Sequence, residues 1–343
     1  MRSISDWAAL QSVIAGDVVL PGSPGYESAR KPAIARFHHV RPQAVVRCAT
    51  PADVSETISF ARRAGLRTAA RSGGHCFAGR SSTEGIVVDV TTMRSVSVSG
   101  GVATLGAGAR LGEVYDALDG HGLTIPAGCG PSVGIAGLTL GGGLGILGRK
   151  HGLTSDHLLR AQIVLADGRV LECDEHHDGE LFWALRGAGG GNFGVVTSLT
   201  FATLPAPTAT VFHLLWPLAH AAAVIGTWQA WGPTAPDELA ASLLVTASGD
   251  AVAYRDTKRY LTELGDTMTG DDNRLEEFSQ DEPSQQGYPY NKSEFFRRPL
   301  PAEAIAALVK YLQEERVVGQ SRELDFTPWG GAYNRVPADA TAF

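Results

Sequence analysis

Two periods of apolar and polar residues alternate along the chain, and the switches between them mark its elements. In VSETISFARRAG, residues 54–65, apolar side chains recur at helical spacing. Thr50-Pro51 and Asp53 supply a helix start and Gly65 a stop. LRTAA (66–70), EGIVVDV (84–90), SVSVSGGVATLGAG (95–108) and AQIVLADGRVLEC (161–173) read as strands, the last two as hairpins turned at Gly-Gly and Asp-Gly. RLGEVYDALDGHG (110–122) reads as a short helix between them. Short strands with intervening helices predict a mixed α+β fold, and the hairpins speak against a purely parallel doubly wound sheet.

The texture changes at Leu204-Pro205-Ala206-Pro207, where the boundary between two domains is expected. Beyond it TATVFHLLW (208–216) and LAASLLVTA (239–247) read as strands, LAHAAAVIGTWQAW (218–231) and PAEAIAALVKYLQEE (301–315) as helices, and 265–287 as a polar stretch. The resulting division is a lead-in at 1–37, a first domain at 38–207 and a second at 208–343. No internal repeat interrupts it.

Composition narrows the partners. A length of 343 residues, 44% of them hydrophobic, is enough for two domains with real cores. With 29 Lys+Arg against 36 Asp+Glu and no basic run, neither nucleic acid nor an anionic membrane is expected, and the partner should be a small molecule. The N-terminus shows no charged leader with an apolar core, and no window approaches the ~20 apolar residues of a membrane span, so a cytoplasmic location is expected. Cys48, Cys76, Cys129 and Cys173 are scattered and predict free thiols rather than zinc or disulfides.

Several tempting motifs fail in context. GxGxxG occurs at Gly143–Gly148 and Gly189–Gly194, but neither match sits between a strand and an opening helix, as a Rossmann fingerprint requires. His176-His177, and likewise His38-His39, read as solvated turns rather than metal ligands, with Asp178 available to cap the helix ELFWALR.

Most of the 41 glycines precede residue 200, and three uncharged segments concentrate them: RSGGH (71–75), CGPSVGIAGLTLGGGLG (129–145) and RGAGGGNFGVVTS (186–198). Backbone stripped of side chains can hold an anion on successive N–H groups and lie flat against a ring system. A flavin dinucleotide has both parts. At ~1 kcal/mol per glycine relative to alanine, the middle segment is expected to be a ligand-facing loop rather than a helix.

RSGGH, PAGCGPSVGIAGLTLGGGLGILGRKHGLTSDHLL, LADGRVL and LFWALRGAGGGNFGVVT, in this order, resemble the vanillyl-alcohol oxidase and p-cresol methylhydroxylase class of FAD-linked oxidoreductases, in its berberine-bridge-enzyme-like branch. The resemblance covers roughly residues 38–207. It implies a two-subdomain FAD-binding domain followed by a substrate domain with an antiparallel sheet and helices. It implies that Arg71, Ser72, Gly73, Gly74 and His75 wrap the pyrophosphate, with His75 bonded to the flavin 8α-methyl carbon. It further implies that Val133, Gly134, Ala136, Gly137, Gly141, Gly142, Gly194 and Val196 line the dinucleotide.

Some members add a cysteine bond to flavin C6 at the position held here by Gly130; Cys129 sits one residue early, so a single bond through His75 is expected, with a second bond from Cys129 as the alternative if a local bulge restores its reach. The implied activity is hydride removal from an alcohol or amine carbon of a sugar, alkaloid or other secondary metabolite, with dioxygen restoring the flavin. The second half matches less well. It is expected to be shortened between Gly249 and Tyr254, and the sequence stops at Phe343, where relatives continue into a segment that often supplies a tyrosine. No catalytic base carries over: packing is the expected role of Tyr254, Tyr260 and Tyr333. The alternative to an oxidase is a flavin-binding remnant without turnover.

Overall fold

The computed structural model describes residues 6–214, 216–247, 254–261, 295–296, 298–314, 322–327 and 329–343. The polar stretch at 265–287 and the region between Gly249 and Tyr254 lie outside the described residues, as do the side chains of Tyr254 and Tyr260.

The chain opens with α1 (Trp7–Val13), β1 (Asp17–Val19), α2 (Tyr26–Arg30), β2 (Ala44–Arg47), α3 (Pro51–Ala64), β3 (Thr68–Arg71) and β4 (Ile86–Asp89). Their sheet runs β1-β2-β4-β3, parallel except for β1. The ends of α3 are set by the residues that announced it. Thr50 Oγ accepts from the N–H of Asp53, Pro51 fills the first turn, and Gly65 closes the helix at φ 64°. Burial alone would raise the pKa of Asp53. The N–H groups of Ala15, Gly16 and Ala49 and the Thr50 hydroxyl outweigh it and hold the carboxyl below its ordinary value. Those bonds pull the N-terminal segment onto the first unit, where Leu10 and Ile14 are core residues.

Next come β5 (Val96–Ser99), β6 (Val102–Gly106), α4 (Leu111–Asp119), β7 (Leu123–Thr124), α5 (Ile135–Leu140), α6 (Gly148–His151), β8 (Leu158–Val164), β9 (Val170–Asp174), α7 (Gly179–Leu185), β10 (Val195–Ala202) and β11 (Leu204–Pro205). The second sheet, β5-β6-β10-β8-β9, is antiparallel throughout. Gly100 and Gly101 turn its first hairpin with φ of 57° and 78°, a conformation that costs side-chain-bearing residues dearly. Both sheets share one core.

A second core belongs to β12 (Thr210–Leu214), α8 (Ala221–Trp231), β13 (Leu239–Ala247), β14 (Tyr254–Leu261), α9 (Ala302–Gln313) and β15 (Arg322–Phe326). The sheet order is β12-β14-β13-β15, all antiparallel. One face carries Leu243, Val245, Leu324 and Phe326, packed with Ile225 and Trp228 of α8 and Ile305 and Leu312 of α9. The other face is free of helices among the described elements.

Two expectations need correction. Segment 129–145 contains a helix, α5, with Gly137 inside it; tertiary packing of Ile135, Ala136 and Leu140 into the core overrides the weak helix propensity of glycine. Asp178 precedes α7 but makes no capping bond with its side chain, because its backbone is left-handed at φ 50°.

Candidate active site

Strand β3 delivers the chain to Ser72-Gly73-Gly74-His75 at its carboxyl end. Arg71, fully buried, spends its guanidinium on the protein: Nε donates to Ser81 O (2.9 Å), Nη1 to Ala29 O (2.7 Å), Nη2 to Arg30 O (3.1 Å) and to the Ser82 hydroxyl (3.3 Å). It shapes the loop from beneath, with four of its five N–H donors spent on the protein's own oxygens. Ser72 Oγ likewise donates to Ala107 O at 2.7 Å.

The glycines divide into two kinds. A Cβ on Gly73 would collide with the backbone of Gly134, and a Cβ on Gly134 with Ser72 Oγ and the N of Gly73. These two are bare so that two segments of the protein can touch. Gly74 turns beside Pro32 and Ala33 at φ 75°. A Cβ on Gly137 or Gly191, by contrast, would meet nothing within 4 Å and would point into open space.

His75 stands at the end of the loop, half-buried, its Nε2 at 3.1 Å from the Ser132 hydroxyl. Burial, then the positive charge of Arg110, lowers its pKa and so favours the neutral imidazole. Ser132 was not singled out in the sequence, although it lies within the matched GPSVG.

One continuous cavity of about 3250 Å³ joins these parts. Arg71, Ser72, Gly73, Gly74, His75, Val133, Gly134, Ala136, Gly137, Gly141, Gly194 and Val196 all line it, and so do Cys76 and Cys129. Gly142 does not line it: it is buried at φ 93°, closed against the ring of Phe343. The second unit contributes the far wall, with Ala240, Ser242 and Leu244 of β13, Asp325 of β15, Thr327 and the rings of Phe295, Trp329 and Tyr333.

Arg149 and Tyr333 seal the seam between the units, and the part played by Arg149 was not legible beforehand. The buried Arg149 guanidinium donates to Trp329 O (3.2 Å) and Ala235 O (2.5 Å), with longer contacts to Pro233 O (3.4 Å). Tyr333 donates to Gly145 O at 2.8 Å and accepts from Gly145 N at 3.3 Å. Its ring sits where a side chain on Gly148 would be, in line with the packing role expected of it.

The two GxGxxG matches fail as Rossmann fingerprints although Gly145, Gly189, Gly191 and Gly194 line the cavity. The second glycine match runs into β10, and the first yields only the single turn α6. His177 bonds the Asp174 carboxylate on the surface, His38 and His39 reach backbone carbonyls, and no metal-ligand cluster exists among the described residues. Cys48 and Cys173 are buried thiols, pushed by burial up to about 12 and about 11.

The cavity suits a flavin dinucleotide. Its volume is several times the ~300–1,000 Å³ of an ordinary small-molecule pocket, its first wall is bare backbone at Gly137 and Gly191, and a neutral imidazole stands on that wall. Comparison with known proteins agrees. The FAD binding domain family matches residues 42–174. The FAD-linked oxidoreductase YvdP of Bacillus subtilis is 33% identical over 357 residues, spanning 96% of this chain and 79% of that protein. The (R)-6-hydroxynicotine oxidase of Paenarthrobacter nicotinovorans is 39% identical over 193 residues, 54% of this chain and 41% of its own. Among solved structures, BBE-like 28 from Arabidopsis thaliana superposes with a TM-score of 0.77 at 25% identity, covering 94% of this chain and 75% of that one. The dense glycine motifs, the backbone-walled cavity and these relatives lead to one assignment: the chain belongs to the FAD-linked oxidoreductases, in their berberine-bridge-enzyme-like class.

Proposed function

We propose that this enzyme is an oxidase that carries its FAD on a bond through His75, removes a hydride from an alcohol or amine carbon of a small molecule, and passes the electrons to dioxygen. The observation that carries the reading is the neutral, half-buried imidazole of His75, anchored at Nε2 by Ser132 at the edge of a side-chain-free wall. That the relative from Paenarthrobacter is named an oxidase supports the choice of acceptor.

Bound FAD supplies the two-electron acceptor. The chain's own residues do the rest. The backbone from Ser72 to Gly74, with Val133, Gly134, Ala136 and Gly137, lies along the dinucleotide, while Gly141, Gly194 and Val196 close its far side. Arg71 and Gly142 act indirectly, one by shaping the loop and the other by packing against Phe343. His75 fixes the cofactor in place, and the rings of Trp329 and Tyr333 keep water from the inner end of the cavity. Cys129 lies exposed on the same wall, and His75 alone forms the bond.

Acid precipitation of the purified protein tests this directly. Yellow colour should stay in the pellet of the wild type and move to the supernatant for His75→Ala, while Cys129→Ala behaves as wild type. Wild-type protein that releases all its flavin on denaturation has no such bond. Peroxide formation with glucose, benzyl alcohol and benzylamine then tests the oxidase reading.

A further inference from the structure

The helix-free face of the second sheet offers a proton acceptor. Along β15, Leu324 and Phe326 enter the second core, so Asp325 between them points the other way, into the cavity. Its cross-strand partner is Leu244, and the neighbouring cavity-facing residues of β13 are Ser242 and Ala240. Charged neighbours on this wall are Glu323, on its own strand, and Arg298, on the segment entering α9. Neither forms an ion pair with Asp325, and among the described residues no hydrogen-bond donor reaches its carboxylate.

We propose that Asp325 is a catalytic residue, the base that takes the O–H or N–H proton of the substrate as its C–H hydrogen leaves. This rests on the oxidase reading above. In the step, the C–H bonding pair departs with hydrogen as hydride to FAD. The O–H or N–H pair becomes the second bond of a carbonyl or imine, and the proton ends on the Asp325 carboxylate. The carboxyl then returns that proton to solvent, and dioxygen would take the hydride's electron pair and hydrogen together with one solvent proton to form hydrogen peroxide. The side chain is open to the cavity yet walled by enough protein that burial raises its pKa, which makes a carboxylate a stronger base than it is in water. The side chain directly across the strand pair, Leu244, is apolar.

The test compares wild type, Asp325→Asn and Asp325→Glu as flavin-loaded proteins, with glucose, benzyl alcohol and benzylamine as probes. Asp325→Asn should keep its flavin content and absorbance spectrum. Anaerobic bleaching by the best probe should slow about 10²-fold, with a half-saturating concentration near that of wild type and partial recovery in Asp325→Glu. The wild-type rate should rise with pH across the acidic range and then level, and Asp325→Asn should lose that rise. A protonated-carboxyl infrared band that disappears over the same pH range should be present in wild type and missing from Asp325→Asn. Bleaching of Asp325→Asn within threefold of wild type, or with an unchanged pH profile, overturns the assignment and leaves the oxidase reading standing. Failure of the wild type with all three probes brings down both.

Discussion

The two walls of the cavity are made of different material. The first unit offers backbone, with glycines where a side chain would intrude, and its polar side chains are turned inward onto the protein's own carbonyls, as Arg71 and Ser72 show. The second unit offers side chains on a twisted antiparallel face, carboxyl, hydroxyl and ring together. Backbone recognises what every flavin dinucleotide shares, and side chains recognise what one substrate has and another lacks. On the function proposed above, an exchange of substrate would draw on the side chains of the second wall, while the first wall could stay fixed.

The sharpest way to break the comparison is to put side chains on the backbone wall. Gly73→Val or Gly134→Val should cost about 3 kcal/mol or more, because each drives a side chain into backbone and not into a pliable neighbour. Chemical denaturation would read this as a collapse of the unfolding midpoint. Arg149→Met should follow at about 2–3 kcal/mol, since it leaves the carbonyls of Trp329 and Ala235 without a buried donor. Its signature is early loosening of the seam, seen as faster hydrogen exchange at Gly145 and Tyr333 than in the first core.

Gly137→Ala sharpens the comparison from the other side. Nothing obstructs a methyl there, and in a helix alanine is worth about 0.5–1 kcal/mol over glycine, so the apoprotein should melt slightly higher. Flavin occupancy should fall at the same time. A variant that gained stability and loaded FAD fully would show that the cofactor does not lie against α5.

Smaller effects concern the thiols and one surface carboxylate. Iodoacetamide should label Cys129 readily and spare Cys48 and Cys173 until the chain unfolds, which peptide mass mapping would show. Glu27 is held down at about 2 by hydrogen bonds from Arg30 and Arg41. A depressed carboxyl stabilises the fold above its ordinary pKa and loses that contribution as pH falls toward 2. The stability gap between wild type and Glu27→Gln should therefore be widest near neutrality and vanish in acid.

Sequence patterns disclosed the elements whose signals are local. Thr50, Pro51 and Gly65 bounded α3 because a cap, a fixed φ and a left-handed stop act within one turn, and the Gly-Gly and Asp-Gly hairpins followed for the same reason. The position of His75 in the site was legible because its motif is contiguous. What stayed hidden depends on distant partners. A glycine gives no sign of whether another backbone or a ligand occupies the space beside it, so Gly73, Gly137 and Gly142 looked alike and proved to face a loop, a cavity and a ring. α5 escaped notice because core contacts, not propensity, hold it. Asp325 is one of two acids in a short alternating run, and only the knowledge of which face α8 and α9 cover separates its side of the strand from the other.

The alternation in β15 has a consequence for the solubility of the protein. Among the described strands β15 ends the order of its sheet, and a strand in that place offers N–H and C=O groups on its outer side. Arg322, Glu323 and Asp325 place both signs of charge along that short segment, which discourages a second copy from extending the sheet by one more strand.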